Sequence, residues 1–413
     1  MKRILALTAL AAASSAAFAQ SSVTAYGILD GGVSQVTGLR GGTRTFLVSG
    51  IMDGSRLGFR GNEDLGGGYR ALFTMEHRME IDTGGISNRP LSGSQLPDRL
   101  TNATLLGLPT FLQPAVDTVA AGIGSTVGVN HIANNMWDRQ VFVGLVTPFG
   151  AGLAGRQYTP AYEVSASFDT LGTQSSLAAG QVAAFPPSID IRVSNAVAYR
   201  IAQGPFSASL MYALGEGNRT NTGRMIGGMA MYKSDAFGAG LGYNTRNNEN
   251  GDKSLTSLVL GGYVAVGPGT IYGQYGHVKD THPSGLSAVR ASLAASVLGP
   301  VLGGQVADAF DRALQQDSRL MHLGYKIVTG PHTIYLAGSS LNDKRPNNAD
   351  TTSYGVAYTY SFSKRTDINA VLTHFDNKNL GQALPGQAGF IGGVTDKAGT
   401  DSNSVALGLR HRF

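Results

Sequence analysis

Cysteine is absent from the 413 residues, which removes disulfide frameworks, thiolate metal sites and cysteine nucleophiles. Charge is scarce: Asp, Glu, Lys and Arg make up 14% of the chain, against about 25% in an average soluble protein. Long apolar runs are missing as well. Past the N-terminus no stretch approaches the roughly 18 uninterrupted apolar residues of a spanning helix. The nearest, Leu105 to Ile123 and Leu286 to Val301, are broken by Pro109, Gln113, Pro114 and Asp117 in the first and by Arg290 and Pro300 in the second. Hydrophobic residues reach 42% and mean hydropathy is -0.02, so the chain is neither a highly charged soluble protein nor a helical membrane protein. Catalytic signatures are equally thin. There is no G-x-S-x-G, no P-loop and no H-E-x-x-H, and the eight histidines show no metal spacing. Ser361-Phe362-Ser363-Lys364 matches S-x-x-K formally, but it falls in a predicted turn without companion motifs. No enzyme, metal or cofactor is expected.

Glycine, by contrast, is plentiful: 57 residues, about twice the usual ~7% share. At the N-terminus Lys2 and Arg3 precede an apolar run from Ile4 to about Ala13, and Ala17-Phe18-Ala19 supplies a small-x-small pattern. Residues 1–19 read as a secretory signal peptide cut before Gln20. Its removal leaves 30 basic against 27 acidic residues, a net charge of +3, too small an excess to point to nucleic acid. If the exported chain, residues 20–413, lies in a membrane, it does so as a closed barrel, because only helices and barrels satisfy their backbone groups in lipid.

A period of two dominates the chain. Val23, Ala25, Gly27, Leu29, Gly31 and Val33 share one face and Thr24, Tyr26, Asp30 and Ser34 the other, with Ile28 the exception. Ala71, Phe73, Met75 and Met79 alternate with Arg70, Thr74, Glu76 and Arg78, and Val405, Leu407, Leu409 and Phe413 with Ser404, Gly408, Arg410 and Arg412. These are strands with one apolar face. Short turns at Asp64 to Gly68, Thr147 to Gly150, Gln203 to Pro205, Ser234-Asp235, Val266 to Gly269, Thr329 to Pro331 and Ser361 to Lys364 separate about sixteen such segments. They begin near Val23, Ser55, Tyr69, Trp137, Ala151, Ser194, Phe206, Arg224, Phe237, Leu255, Gly269, Arg319, His332, Ser353, Arg365 and Ser402. Long connections lie at about Ile81 to Asn135, Gln157 to Val193, Asp280 to Ser318 and Asn377 to Asp401. An even strand count with short turns on one rim and long loops on the other predicts an all-β fold: a sixteen-stranded antiparallel transmembrane β-barrel with short periplasmic turns and long extracellular loops. Phe149, Phe206, Phe237, Phe362 and Phe413 fall near the short-turn rim, as an interfacial girdle requires. Leu100 to Asn130 and Leu286 to Gln315 carry Ala, Leu and Val without alternation. They read as short helices or a plug on the barrel mouth, since neither is long enough for its own core.

Arg56, Arg60, Arg156 and Arg192 sit in strand or strand-edge segments that otherwise read as half-buried. An unpaired charge there would be costly in a dry core, so they point at water, which in a barrel is the channel. Ser55-Arg56-Leu57-Gly58-Phe59-Arg60-Gly61-Asn62-Glu63-Asp64-Leu65-Gly66-Gly67-Gly68, Pro148-Phe149-Gly150, Gly155-Arg156-Gln157-Tyr158-Thr159-Pro160 and the terminal Gly408-Leu409-Arg410-His411-Arg412-Phe413 resemble the general, non-specific porins of Gram-negative outer membranes, of the β-proteobacterial type. The resemblance covers the mature chain in order. It implies a homotrimer of sixteen-stranded barrels that passes small hydrophilic solutes and ions by passive diffusion. It also implies a loop of about residues 158–191 folded into the lumen as a constriction. Arg56, Arg60, Arg156 and Arg192 then occupy basic slots facing that loop, which offers Glu163, Asp169 and Asp190 and carries Phe185-Pro186-Pro187-Ser188 in place of the Pro-Glu-Phe-Gly-Gly tip of enterobacterial relatives. Weak anion preference follows as an expectation, as does recognition of Phe413 by the barrel-insertion machinery. The alternative is an outer-membrane adhesin or surface binding protein that works through its long loops.

Overall fold

The computed structural model describes residues 22–86, 90–126, 136–173, 175–183, 190–216, 221–346, 348–386 and 393–413. The expected signal peptide and Phe185-Pro186-Pro187-Ser188 lie outside the described residues. Sixteen strands follow one another: β1 Ser22–Leu39, β2 in two pieces, Gly42–Ser49 and Arg56–Gly66, β3 Tyr69–Arg78, β4 Gln140–Thr147, β5 Gly150–Tyr158, β6 Arg192–Gln203, β7 Phe206–Ala213 and β8 Met225–Lys233. They continue as β9 Phe237–Asn247, β10 Lys253–Val266, β11 Gly269–Asp280, β12 Gln316–Thr329, β13 His332–Asp343, β14 Thr351–Ser361, β15 Thr366–Asn377 and β16 Ser402–Arg412. Each pairs antiparallel with its neighbours in sequence, and β16 closes the ring on β1 with Asp30 opposite Arg410 and Val36 opposite Ser404. Closure leaves no strand edge unpaired in lipid.

The alternation read from the sequence sorts the two faces. Leu210 is 72% exposed between Ser209 at 4% and Met211 at 3%, and Leu323 is 66% exposed beside His322 at 4%. Val23, Val33, Val143, Leu145 and Leu407 join the outward apolar band. All seven short turns fall on the rim that also holds Phe413, and Phe149, Phe206, Phe237 and Phe362 are exposed there. The opposite rim is mixed: two tight connections, Arg40-Gly41 and residues 248–252, sit among the long loops.

The second strand differs from its expected start near Ser55. It begins at Gly42, after a hairpin that returns β1, and breaks inward over residues 50–55. Asp30 of β1 holds the break. Its carboxylate accepts the backbone N–H groups of Ile51 at 2.9 Å, Met52 at 2.9 Å and Asp53 at 2.7 Å. Three donors on one buried carboxylate replace the ladder bonds that the break forfeits.

The apolar loop segments are helical and pack on each other. Between β3 and β4 run α1, Asp98–Thr101, and α2, Gln113–Thr126, while between β11 and β12 run α4, Leu286–Ala294, and α5, Gly299–Leu314. Leu100, Leu112 and Val116 meet Val306, Phe310 and Ala313 in one buried cluster. Residues 127–130 of the first segment lie outside the described residues. Arg99 is buried at the seam and donates from Nη1 to the Ala313 carbonyl at 2.7 Å. Burial pushes its guanidinium down to about 9, with Arg345 adding to the effect and Asp343 opposing it. Together the two loops form a helical cap on the long-loop rim.

Candidate functional site

The segment after β5 turns into the barrel. Thr159 caps α3, Pro160–Phe168, with its hydroxyl accepting the Tyr162 N–H and with Pro160 in the first turn, a start that suits a missing N–H. The helix lies on the inner faces of β8, β9 and β10, where Ala161, Val164 and Phe168 pack with Met231 and Val259. Glycines make this seat. A Cβ at Gly242 would stand 2.8 Å from the Ala161 Cα, and one at Gly261 2.6 Å from the Phe168 Cβ. The chain then arcs along the far wall. Leu171 and Leu177 pack with Ala337, Ala357, Val371 and Ala406 and reach Ile51 and Met52 of the β2 break. His322 Nε2 accepts the Thr170 N–H at 3.1 Å, and its Nδ1 lies 2.8 Å from Ser339 Oγ. Overfilling the seat is expected to unseat the helix without unfolding the ladder. Gly261→Leu, at an overpacking cost of about 1–3 kcal/mol, should raise open-channel current noise and expose residues 160–168 to protease while leaving the barrel's thermal unfolding unchanged. A quiet, protease-resistant variant would show that the wall does not hold the segment.

Facing the start of this segment is a cluster of arginines about one tyrosine. Tyr158 OH accepts from Arg139 Nη2 at 3.0 Å and Arg192 Nη2 at 3.1 Å, with the Arg192 guanidinium also 4.7 Å over its ring. Tyr162 stacks on Tyr158 at 5.1 Å between centroids, which ties the first turn of α3 to the cluster. Arg156 Nε donates to the Asp138 carbonyl at 2.7 Å and its Nη1 to Ser194 Oγ at 3.0 Å. Gly155 makes this possible: at φ +132 it forms a bulge that re-aims Arg156, and a Cβ there would meet the Val141 carbonyl oxygen at 2.3 Å. Arg78 pairs with Asp138 at 3.3 Å and Glu80 at 3.6 Å, and Arg139 lies 3.6 Å from Glu76. Arg56 pairs with Asp53.

Of the four arginines named from sequence, the structure brings Arg56, Arg156 and Arg192 to this cluster. Arg60 lies one step toward the short-turn rim, 5.2 Å over the ring of Tyr26. The three loop acids do not face the cluster. Glu163 pairs with Arg200 at 2.7 Å and Asp190 with Arg246 at 3.0 Å. Asp169 is buried and turned on its own loop, accepting the Leu171 N–H at 2.8 Å and the Ala179 N–H at 2.7 Å. Arg78, Arg139 and Tyr158 are the members that the sequence did not single out. Arg78 stood on the wet face of its alternating strand, a usable signal; Arg139 precedes β4 and has no alternation to place it. Phe413 follows β16 directly, with its N–H donating to the Gly27 carbonyl at 3.1 Å and its ring above Gly27.

Comparison with known proteins agrees with this architecture. Outer membrane porin protein 32 of Delftia acidovorans is 26% identical over 430 residues, with 100% of both chains covered. An outer membrane porin protein of Bordetella pertussis is 24% identical over 441 residues, again with 100% of both covered. Among solved structures, the anion-selective porin from Comamonas acidovorans superposes at a TM-score of 0.68 and 23% identity, covering 95% of this chain and 100% of that one. The trimer form of OmpT of Vibrio cholerae does so at 0.58 and 13%, covering 95% and 99%. A family model for Gram-negative porins matches residues 6–380, and with the closed sixteen-stranded barrel that match makes this chain an outer-membrane β-barrel protein of the Gram-negative porin family.

Proposed function

We propose that the barrel is a passive diffusion channel for small hydrophilic solutes and ions with a weak preference for anions, and that it works as a homotrimer delivered by the barrel-insertion machinery through its terminal Phe413. The observation that carries the preference is the gathering of Arg56, Arg78, Arg139, Arg156 and Arg192 around Tyr158, where Asp53, Glu76, Glu80 and Asp138 offset them only in part, Asp53 being shared with Arg410, and the acids of the inward segment are engaged elsewhere. A lumen of sixteen strands holds water, and fixed guanidinium groups lower the barrier to anions. Arg60 extends the same sign toward the periplasmic side. In this reading residues 158–191 form the constriction, and the resemblance of fold to the anion-selective porin from Comamonas acidovorans and to the trimer form of OmpT supports selectivity and assembly. Reconstitution in planar bilayers tests it: open channels with a reversal potential on the chloride side of zero in a KCl gradient are expected, and closed or potassium-preferring ones overturn it.

The preference should depend on pH. Glu80 lies just beyond β3; burial pushes its carboxyl up to about 7, against the opposing pull of Arg78. Above that value its charge offsets Arg78, and below it the proton removes the offset. Anion preference is therefore expected to strengthen as pH falls from 8 to 6, and Glu80→Gln should flatten the profile at the acidic level. A wild-type reversal potential that stays constant over that range removes Glu80 from the selectivity mechanism.

A further inference from the structure

Between the helical cap and the inner rim of the barrel lies a cavity of about 760 Å³, and none of its lining residues belongs to the arginine cluster. Its roof is apolar, formed by Val119 and Ile123 of α2 and by Val289 and Leu293 of α4, which show the cavity the edge of the cluster that joins the two loops. Its floor holds three charges: Arg246 on β9, Asp280 at the end of β11, and Asp190 just before β6. Arg246 Nη1 donates to Asp190 Oδ1 at 3.0 Å, so those two cancel. Among the described residues Asp280 receives only neutral donors, Ser254 Oγ at 3.0 Å and the His282 N–H at 3.1 Å, both on Oδ1. One negative charge is left over under an apolar roof. Size, apolar walls and a few polar groups at one end are the features of a small-molecule site.

We propose that this cavity binds small amphipathic organic cations, an apolar body carrying one ammonium group. The body would lie against Val119, Ile123, Val289 and Leu293, which removes apolar surface from water on both sides. The ammonium would donate to the carboxylates of Asp280 and Asp190 and bring the floor to neutrality. A carboxylate of the same shape would face two acids with the one arginine already paired. Below the cavity the arginine cluster opposes a cation, so the ligand is held at the mouth and not drawn through the pore. The inference goes beyond the channel reading and does not need it to be right.

The test is calorimetric titration of the barrel in lipid nanodiscs with 4-phenylbutylamine, 4-phenylbutanol and 4-phenylbutyrate, which reads binding without conduction. The amine is expected to bind most tightly and the carboxylate least. Asp280→Asn, which keeps an acceptor for Ser254 and His282, should weaken the amine about 10-fold and leave the alcohol unchanged. Ile123→Ser should weaken amine and alcohol alike by a similar factor. Retained β-sheet circular dichroism shows that each variant is folded. Equal affinity for the three compounds, preference for the carboxylate, or an amine affinity unmoved in both variants overturns the proposal.

Discussion

Replacing Arg139 and Arg192 together by glutamine is expected to turn the channel from chloride preference to potassium preference. Both guanidinium groups converge on the Tyr158 hydroxyl, at 3.0 Å and 3.1 Å, so their charges occupy one short stretch of the lumen wall. A unit charge about 5 Å from a passing ion is worth about 0.8 kcal/mol even at the dielectric constant of water, a factor of about four in local ion concentration. Removing two lowers the local anion concentration about sixteenfold and raises that of cations as much, so the ratio of anion to cation falls by roughly two orders of magnitude before screening, more than a weak preference can absorb. Salt does not erase the effect, since the screening length is about 8 Å at physiological ionic strength. The reversal potential in a tenfold KCl gradient measures it, with Arg40→Gln on the β1–β2 hairpin as a control, an exposed arginine far from the cluster. A double variant that retains chloride preference would place the selectivity elsewhere in the lumen.

The barrel was legible because its physics is local. Each strand must show lipid one face and water the other, so Val405, Leu407 and Leu409 announce themselves against Ser404, Gly408 and Arg410. Seven turns were readable from glycine, proline and serine alone. The break in β2 was not, because it is held by Asp30, some 21 residues before Ile51, and nothing in residues 50–55 names that partner. The apolar loops were read as helices or a plug at the mouth, and the structure adds that they are one unit: Leu112 and Phe310 share a cluster though they are distant in sequence.

The site was legible by halves for the same reason. Arginine in an amphipathic strand points to water, which is a one-residue inference, and it found Arg56, Arg156 and Arg192. Which acid faces which arginine is a property of the folded loop. Glu163 sits on a helix whose apolar face seeks Gly242 and Gly261, and that contact swings its carboxylate to Arg200. Asp169 looks like a lumen charge in sequence, yet it closes its own loop by accepting two backbone N–H groups. Arg139 lies outside any alternating run and is brought to Tyr158 by the pairing of β4 with β5.

The assignment of faces carries the second large effect. Phe73 and Met75 in the middle of β3 face outward, opposite Gly61 and Phe59 on one side and Val143 and Val141 on the other. Thr74 between them faces the lumen, opposite Arg60. An arginine at the bilayer midplane of such a barrel costs roughly 2–4 kcal/mol, because the guanidinium leaves water for hydrocarbon with no partner. Met75→Arg and Phe73→Arg are therefore each expected to lower barrel stability in lipid by that amount. Met75 is the cleaner of the two, since the Phe73 ring lies over Gly61 and its loss also leaves a notch. Thr74→Arg keeps its charge in the lumen and adds only a cross-strand repulsion with Arg60, worth about 0.2–1 kcal/mol. Urea unfolding in vesicles separates these outcomes. Three variants that unfold at the same urea concentration would mean that the outward face of this strand does not meet lipid, as it would not if β3 were covered by a neighbouring subunit.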